Sequence, residues 1–149
     1  MTDFEIVRVE ELSSSQEDEC LNILAEVPGL QISGEKLRNQ LCKMVRLGFL
    51  LIARAQGRGI GVIGFYANDL NNGIAHIMYV SVLDGCRNFG IGGALLDKAI
   101  AVAKVSGMKT IRLNVLRTND RAISLYERRG FVLQGEGCSK EHVLMARLL

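Results

Sequence analysis

The sequence predicts an α/β domain of the α+β type, built on a central, mostly antiparallel mixed sheet. Three observations carry this. The length of 149 residues suits one domain, expected to span 1–149. Apolar residues recur with a period of two in some segments and about 3.6 in others, so strands and helices alternate. Three successive strands are joined by short links rich in turn formers and flanked by helical segments, which reads as an antiparallel meander inside a mixed fold.

The elements follow in the order β-α-α-β-β-β-α-β-α-β-β. Residues 4–9 alternate loosely and form the first strand. Ser13, Ser14 and Ser15 offer helix caps, with Ser14 and Glu17 at capping-box spacing. The helix that follows buries Leu21, Ile23, Leu24 and Val27 and stops at Pro28-Gly29. A second helix starts at Ser33, turns Leu37, Leu41, Met44 and Val45 inward, and ends at Gly48. The meander comprises residues 49–54, 61–66 and 75–82, linked by residues 56–59 and 68–73. From Gly90 to about Ser106, Ile91, Leu95, Ala99 and Val102 keep helical spacing, and Gly107 closes the helix. Residues 110–115 form a strand. Thr118 or Asn119 caps a short helix through Arg129, Gly130 ends it, and residues 131–133 and 142–146 are the last strands.

Composition narrows the function. A hydrophobic fraction of 48% and a charged fraction of 23% are ordinary for a globular chain and exclude disorder and simple coiled coil. No apolar run approaches the roughly 20 residues of a membrane span, and the start Met1-Thr2-Asp3-Phe4-Glu5 lacks the pattern of a signal peptide, so a cytoplasmic location is expected. Cys20, Cys42, Cys86 and Cys138 show no metal-ligand spacing, and no metal site is expected. Charge is uneven: residues 1–45 hold nine acids and four bases, residues 46–149 seven acids and fourteen bases. The later bases are scattered, without interleaved aromatics, and do not point to nucleic acid.

The chemistry concentrates in residues 80–95, which run from strand through a basic turn into glycines and a helix. Gly90 and Gly92 let a ligand approach the backbone, and the helix they open presents unpaired N–H groups and a positive dipole end to an anion such as phosphate. A dinucleotide fingerprint counted from Gly90 would need glycine where Leu95 stands, and no G-x-x-x-x-G-K-[ST] string occurs.

What the segment does match is R/Q-x-x-G-x-G/A, as Arg87-Asn88-Phe89-Gly90-Ile91-Gly92. A second string, N-x-x-A-x-x-L-Y-x-x-x-G-F, runs from Asn119 to Phe131. With these two motifs and its element order, the chain resembles the GCN5-related N-acetyltransferase (GNAT) family over nearly its whole length. The resemblance implies the acyl-coenzyme A acyltransferase fold, its sheet splayed at the fourth strand to admit acetyl-coenzyme A, and no metal. It departs in carrying Asp84-Gly85-Cys86 where relatives often have proline and an aromatic residue, and Asn88 where many have glycine.

Roles carry over residue by residue. The resemblance implies that main-chain groups of Val80 and Val82 pair with the pantetheine arm as if it were a strand. It also implies that Asn88, Phe89, Gly90, Ile91, Gly92 and Gly93 hold the pyrophosphate, with Arg87 adding charge. Asn119 matches an asparagine that contacts the cofactor arm, and it can equally serve as a helix cap. Tyr126 matches the tyrosine near the coenzyme sulfur, where its phenol can protonate the departing thiolate. His76 is the candidate base for the amine, six residues before Val82 and on its face by period two; Tyr79 falls on the opposite face. Cys86 reads as a packing residue.

These roles describe direct transfer of acetyl from acetyl-coenzyme A to a primary amine, with fourth-strand N–H groups stabilising the oxyanion. The acceptor is a small-molecule amine or a protein N-terminus, and a homodimer is compatible with the family. The alternative is an acyl-coenzyme A sensor of the same fold without turnover. The acidic early residues, among them Glu17, Asp18, Glu19 and Glu26, are expected to border the entry of a cationic acceptor.

Overall fold

Alternating burial along the strands resolves into one seven-stranded mixed sheet in a computed structural model that describes residues 3–30 and 32–149. Met1 and Thr2, which open the start inspected for a leader, lie outside the described residues. The elements are β1 (Glu5–Arg8), α1 (Ser14–Leu24), α2 (Gly34–Leu47), β2 (Phe49–Ala55), β3 (Arg58–Tyr66), β4 (Ile74–Val82), α3 (Ile91–Val105), β5 (Thr110–Leu116), α4 (Asp120–Arg128), β6 (Val132–Glu136) and β7 (His142–Leu148). The strand order is β1-β2-β3-β4-β5-β7-β6. Every neighbouring pair is antiparallel except β4 with β5, which α3 joins as a parallel crossover. Among the described residues, no helix is long and apolar enough to cross a membrane.

Local chemistry explains the joints. The capping box forms one residue earlier than expected: Ser13 Oγ accepts from the Gln16 N–H at 3.3 Å, and Gln16 Oε1 accepts from the Ser13 N–H at 3.2 Å. Ser13 is the last extended residue, at φ −71° and ψ 162°, whereas Ser14 is already helical. Glu17, released from capping, pairs with Arg38 at 2.9 Å. Helix α1 stops at Leu24, and i→i+3 bonds from the Val27 and Leu30 N–H groups carry the chain over Pro28-Gly29. Gln56 and Gly57 both have positive φ, at 53° and 75°, giving the two-residue turn that joins β2 to β3.

The helices cover the two faces of the sheet separately. Cys20, Ile23, Leu24, Leu41 and Met44 of α1 and α2 pack on Leu50, Ile52 and Val62. On the other face, Leu95, Leu96 and Ala99 of α3 join Ile63, Phe65, Ile111, Leu113, Tyr126 and Phe131. Gly48 ends α2 and leads directly into β2, where a Cβ would stand 2.5 Å from the carbonyl oxygen of Phe65. Backbone cannot yield there as a side-chain end can, so Gly48→Ala is expected to cost about 2–3 kcal/mol and lower Tm by roughly 5–10 °C in thermal unfolding.

Strand β4 carries the detail that matters most for the site. Gly64 pairs with Tyr79 and Phe65 with Ile77, leaving Met78 as an extra, bulged residue. The side-chain alternation therefore resets. Ala75 and Ile77 face α3 before the bulge, and Val80 and Val82 do so after it. Ser81, one residue out of step, donates its hydroxyl to the Ile23 carbonyl of α1 at 3.0 Å. His76 and Val82 consequently lie on opposite faces, contrary to simple counting, and His76 shares its face with Tyr79.

Candidate active site

The site begins where pairing fails. Strands β4 and β5 are paired only from Ile74 with Thr110 to Ile77 with Leu113, so both strands continue side by side without a ladder. The Leu83 N–H bonds to the Ile60 carbonyl of the β3 side at 2.9 Å. By alternation, the main-chain groups of Val80 and Val82 then point the other way, into the gap facing β5. The Val82 carbonyl is taken by Arg87 Nε at 3.2 Å. What is left on this edge is a short row of peptide groups with no strand opposite them.

The chain leaves β4 through a 3-10 turn, Asp84–Cys86, and enters α3 through two left-handed residues. Asn88 has φ 71° and Gly90 φ 80°. Asparagine is among the few non-glycine residues that adopt this conformation readily, which explains how it stands where relatives often have glycine. Gly90 occupies the N-cap of α3 without a side-chain cap bond, so the first-turn N–H groups face the gap uncovered. Gly93 packs under the guanidinium end of Arg129.

These elements enclose a cleft of about 400 Å³. Of the residues singled out from sequence, Val80, Val82, Arg87, Asn88, Gly90, Ile91, Gly92, Gly93, Asn119 and Tyr126 line it. Phe89 does not: its side chain is turned to solvent, 47% exposed. His76 does not either, because the Met78 bulge turns it to the other face, where burial and the neighbouring Arg112 charge hold its pKa below the ordinary value.

Glu26, one of the acids expected at the acceptor entry, also lines the cleft, whereas sequence reasoning missed several lining residues, among them Arg121, Ser124 and Arg128. Helical spacing offered a signal for part of the set: 121, 125 and 128 share the face of α4 that Asn119 and Ala122 begin.

Charges in the cleft are mutually tied. Arg87 meets Asp84 at 3.0 Å and Glu26 at 3.7 Å. Arg121 Nη2 donates to Asn88 Oδ1 at 3.1 Å, bracing the loop against α4. The expected acidic entrance is not a free field. Glu17 and Asp18 pair with Arg38, and Glu19 holds Arg54 at 2.9 Å and accepts the Gly59 N–H at 2.8 Å.

Asn119 caps α4 by accepting the Ala122 N–H at 3.2 Å, while its amide NH2 stays available to the cleft. Two variants separate these functions: Asn119→Ser is expected to keep the cap and Tm, and Asn119→Ala to lose about 1 kcal/mol of stability by thermal unfolding. Both lose the amide donor.

Tyr126 is buried, 7% exposed, its ring against Phe131 with centroids 5.9 Å apart and planes inclined by 56°. Desolvation pushes its phenol up to about 12. It therefore remains protonated across the neutral range, a donor on the lining of the cleft.

A half-parted sheet with a glycine-opened helix at the mouth of the gap is the architecture of an acyltransferase. The chain belongs to the Acetyltransferase (GNAT) family, whose sequence profile matches residues 16–131. An uncharacterised N-acetyltransferase of Methanocaldococcus jannaschii is 33% identical over 84 residues, a match covering 54% of this chain and 37% of that protein. The fold is also that of PaiA N-acetyltransferase from Thermoplasma acidophilum, solved with coenzyme A, at TM-score 0.79, 19% identity and 99% coverage of both chains. A chain of the NatC complex, solved with Gag peptide and coenzyme A, superposes at TM-score 0.83 with 19% identity, again over 99% of both.

Proposed function

We propose that this protein is an acetyl-coenzyme A-dependent N-acetyltransferase that acts on a primary amine. The observation that carries the reading is the unpaired β4 edge beyond Ile77, which shares one cleft with the N-terminus of α3 and with Tyr126. The residues fit the cosubstrate. Peptide groups of Val80 and Val82 can pair with an amide-bearing arm, the Gly90–Gly93 N–H groups and Arg87 suit a pyrophosphate, and the recess at Tyr126 accepts a thioester end.

When bound, acetyl-coenzyme A supplies an activated acetyl group. The chain supplies position and proton control. Free N–H groups of β4 stand ready for charge that develops on the carbonyl oxygen, with Leu125 and Tyr126 lining the same cleft. In the net change, a C–N bond forms, a C–S bond breaks, one proton leaves nitrogen and one reaches sulfur.

The phenol's raised pKa refines the part played by Tyr126. Burial keeps the phenol in its protonated, donor form, and the same desolvation raises the pKa of a thiol formed beside it. Tyr126 therefore donates its hydrogen bond to sulfur as the C–S bond stretches and passes its proton to the departing thiolate. His76 does not line the cleft but lies on the α1 and α2 side of the sheet, and the amine proton passes to it or to a chain of waters on that side.

The test is thiol release by the purified protein with acetyl-coenzyme A and a panel of amines, beside calorimetric binding of coenzyme A. Amine-dependent release supports the reading. Binding without release for any amine would make the protein a sensor.

A further inference from the structure

We propose that the acceptor amine also carries a carboxylate, and that Arg112 receives it. This rests on the acetyl-transfer reading above. With the cosubstrate held by α3 and α4, the acceptor must reach the gap from the opposite face of the sheet, the face of α1 and α2. On β5, Ile111, Leu113 and Val115 point into the α3 layer, so Arg112 and Asn114 point to the acceptor's side. Arg112 pairs in register with His76, one residue before the β4–β5 ladder ends, so it stands at the closed end of the gap.

Its charge is unanswered. The Nε of Arg112 is the one buried side-chain polar atom without a hydrogen-bond partner among the described residues. None of the carboxylates paired with Arg38, Arg54, Arg87 or Arg129 reaches it. A buried Nε–H without an acceptor on a half-buried arginine is costly, and a ligand carboxylate bridging Nε and a terminal nitrogen would offset that cost with charge-assisted, bidentate hydrogen bonds. The acids expected to make this entrance select cations, Glu17, Asp18, Glu19 and Glu26, are paired with arginines on α2, β2 and the turn after β4. The acceptor face therefore favours an amine bearing an anion over a polyamine. The level of Arg112 lies about 10 Å of strand before that of Val80, so the amine and the carboxylate are separated by several bonds.

The experiment compares ω-amino acids of increasing chain length and dipeptides, each beside its C-terminal amide, as acceptors for the wild type, Arg112→Gln and Arg112→Lys. The wild type is expected to use the best acid with kcat/KM at least about tenfold above its amide. Arg112→Gln brings the acid down to the level of the amide, Arg112→Lys keeps part of the difference, and KM for acetyl-coenzyme A is unchanged in both. Equal use of acid and amide by the wild type, a preference that survives in Arg112→Gln, or turnover of uncharged amines alone would each overturn the proposal while leaving acetyl transfer standing. Absence of thiol release with every amine would overturn both.

Discussion

Tyr126→Phe is expected to lower kcat by roughly 100-fold or more while leaving acetyl-coenzyme A affinity nearly unchanged. The ring stays, so the contact with Phe131 and the packing of α4 on the sheet stay with it. Only the hydroxyl is lost, and this donor makes no hydrogen bond within the protein among the described residues. Thermal stability is therefore expected to hold or rise slightly, which separates a chemical role from a structural one. The pH profile adds a second check. With its phenol near 12, Tyr126 keeps its proton through the neutral and mildly alkaline range, so kcat acquires no falling limb from this residue below about pH 11. Unaltered turnover in Tyr126→Phe with a good acceptor would remove the hydroxyl from the mechanism.

The second large effect is loss of cosubstrate binding in Gly92→Leu. A Cβ at Gly92 meets Leu125 at 3.4 Å and Val82 at 3.7 Å, ordinary contacts that the fold accommodates. The remaining leucine atoms must then extend into the cleft between α3 and α4, across the first-turn N–H groups. Calorimetry is expected to show at least a 100-fold fall in coenzyme A affinity, worth about 2.7 kcal/mol, with Tm close to that of the wild type. Gly90 would report less cleanly, because a side chain at φ 80° strains the N-cap whether or not a ligand is bound. Retained affinity in Gly92→Leu would place the anion elsewhere than the start of α3.

The parts of the molecule legible in the sequence are those written in local chemistry. Helices α2 and α3 were readable from Leu37, Leu41 and Met44 and from Ile91, Leu95 and Ala99, because burial on one face imposes a 3.6 period. Gly107 and Gly130 marked helix ends because left-handed φ values of 85° and 86° suit glycine alone. The strand-turn-helix around Gly90 was visible for the same reason.

What escaped depends on register and on distant partners. The choice of Ser13 over Ser14 as cap was settled by one residue's ψ angle, a boundary that three adjacent serines leave open. The Met78 bulge is invisible to period-two counting, since only pairing with Gly64 and Phe65 reveals it; it sent His76 to the wrong face. Phe89 was drawn into the binding loop by its position in a motif, yet its neighbours supply backbone turns rather than an apolar surface for its ring. The pairing of the early acids is likewise invisible in sequence, because Arg38, Arg54 and Arg87, from separate elements, converge on acids that sequence order groups together.

The parting of β4 from β5 also has a mechanical meaning. Up to Ile77, β4 is clamped along both edges; beyond it, the ladder continues on the β3 edge alone, with Ser81 pinned to α1. Unmet main-chain pairing is thus confined to the few residues that border the gap, while the base of the strand is bonded on both sides. A ligand arm that supplies its own amides restores the missing second clamp, so occupancy braces the free end of the sheet, and the energy of binding is partly spent on stiffness.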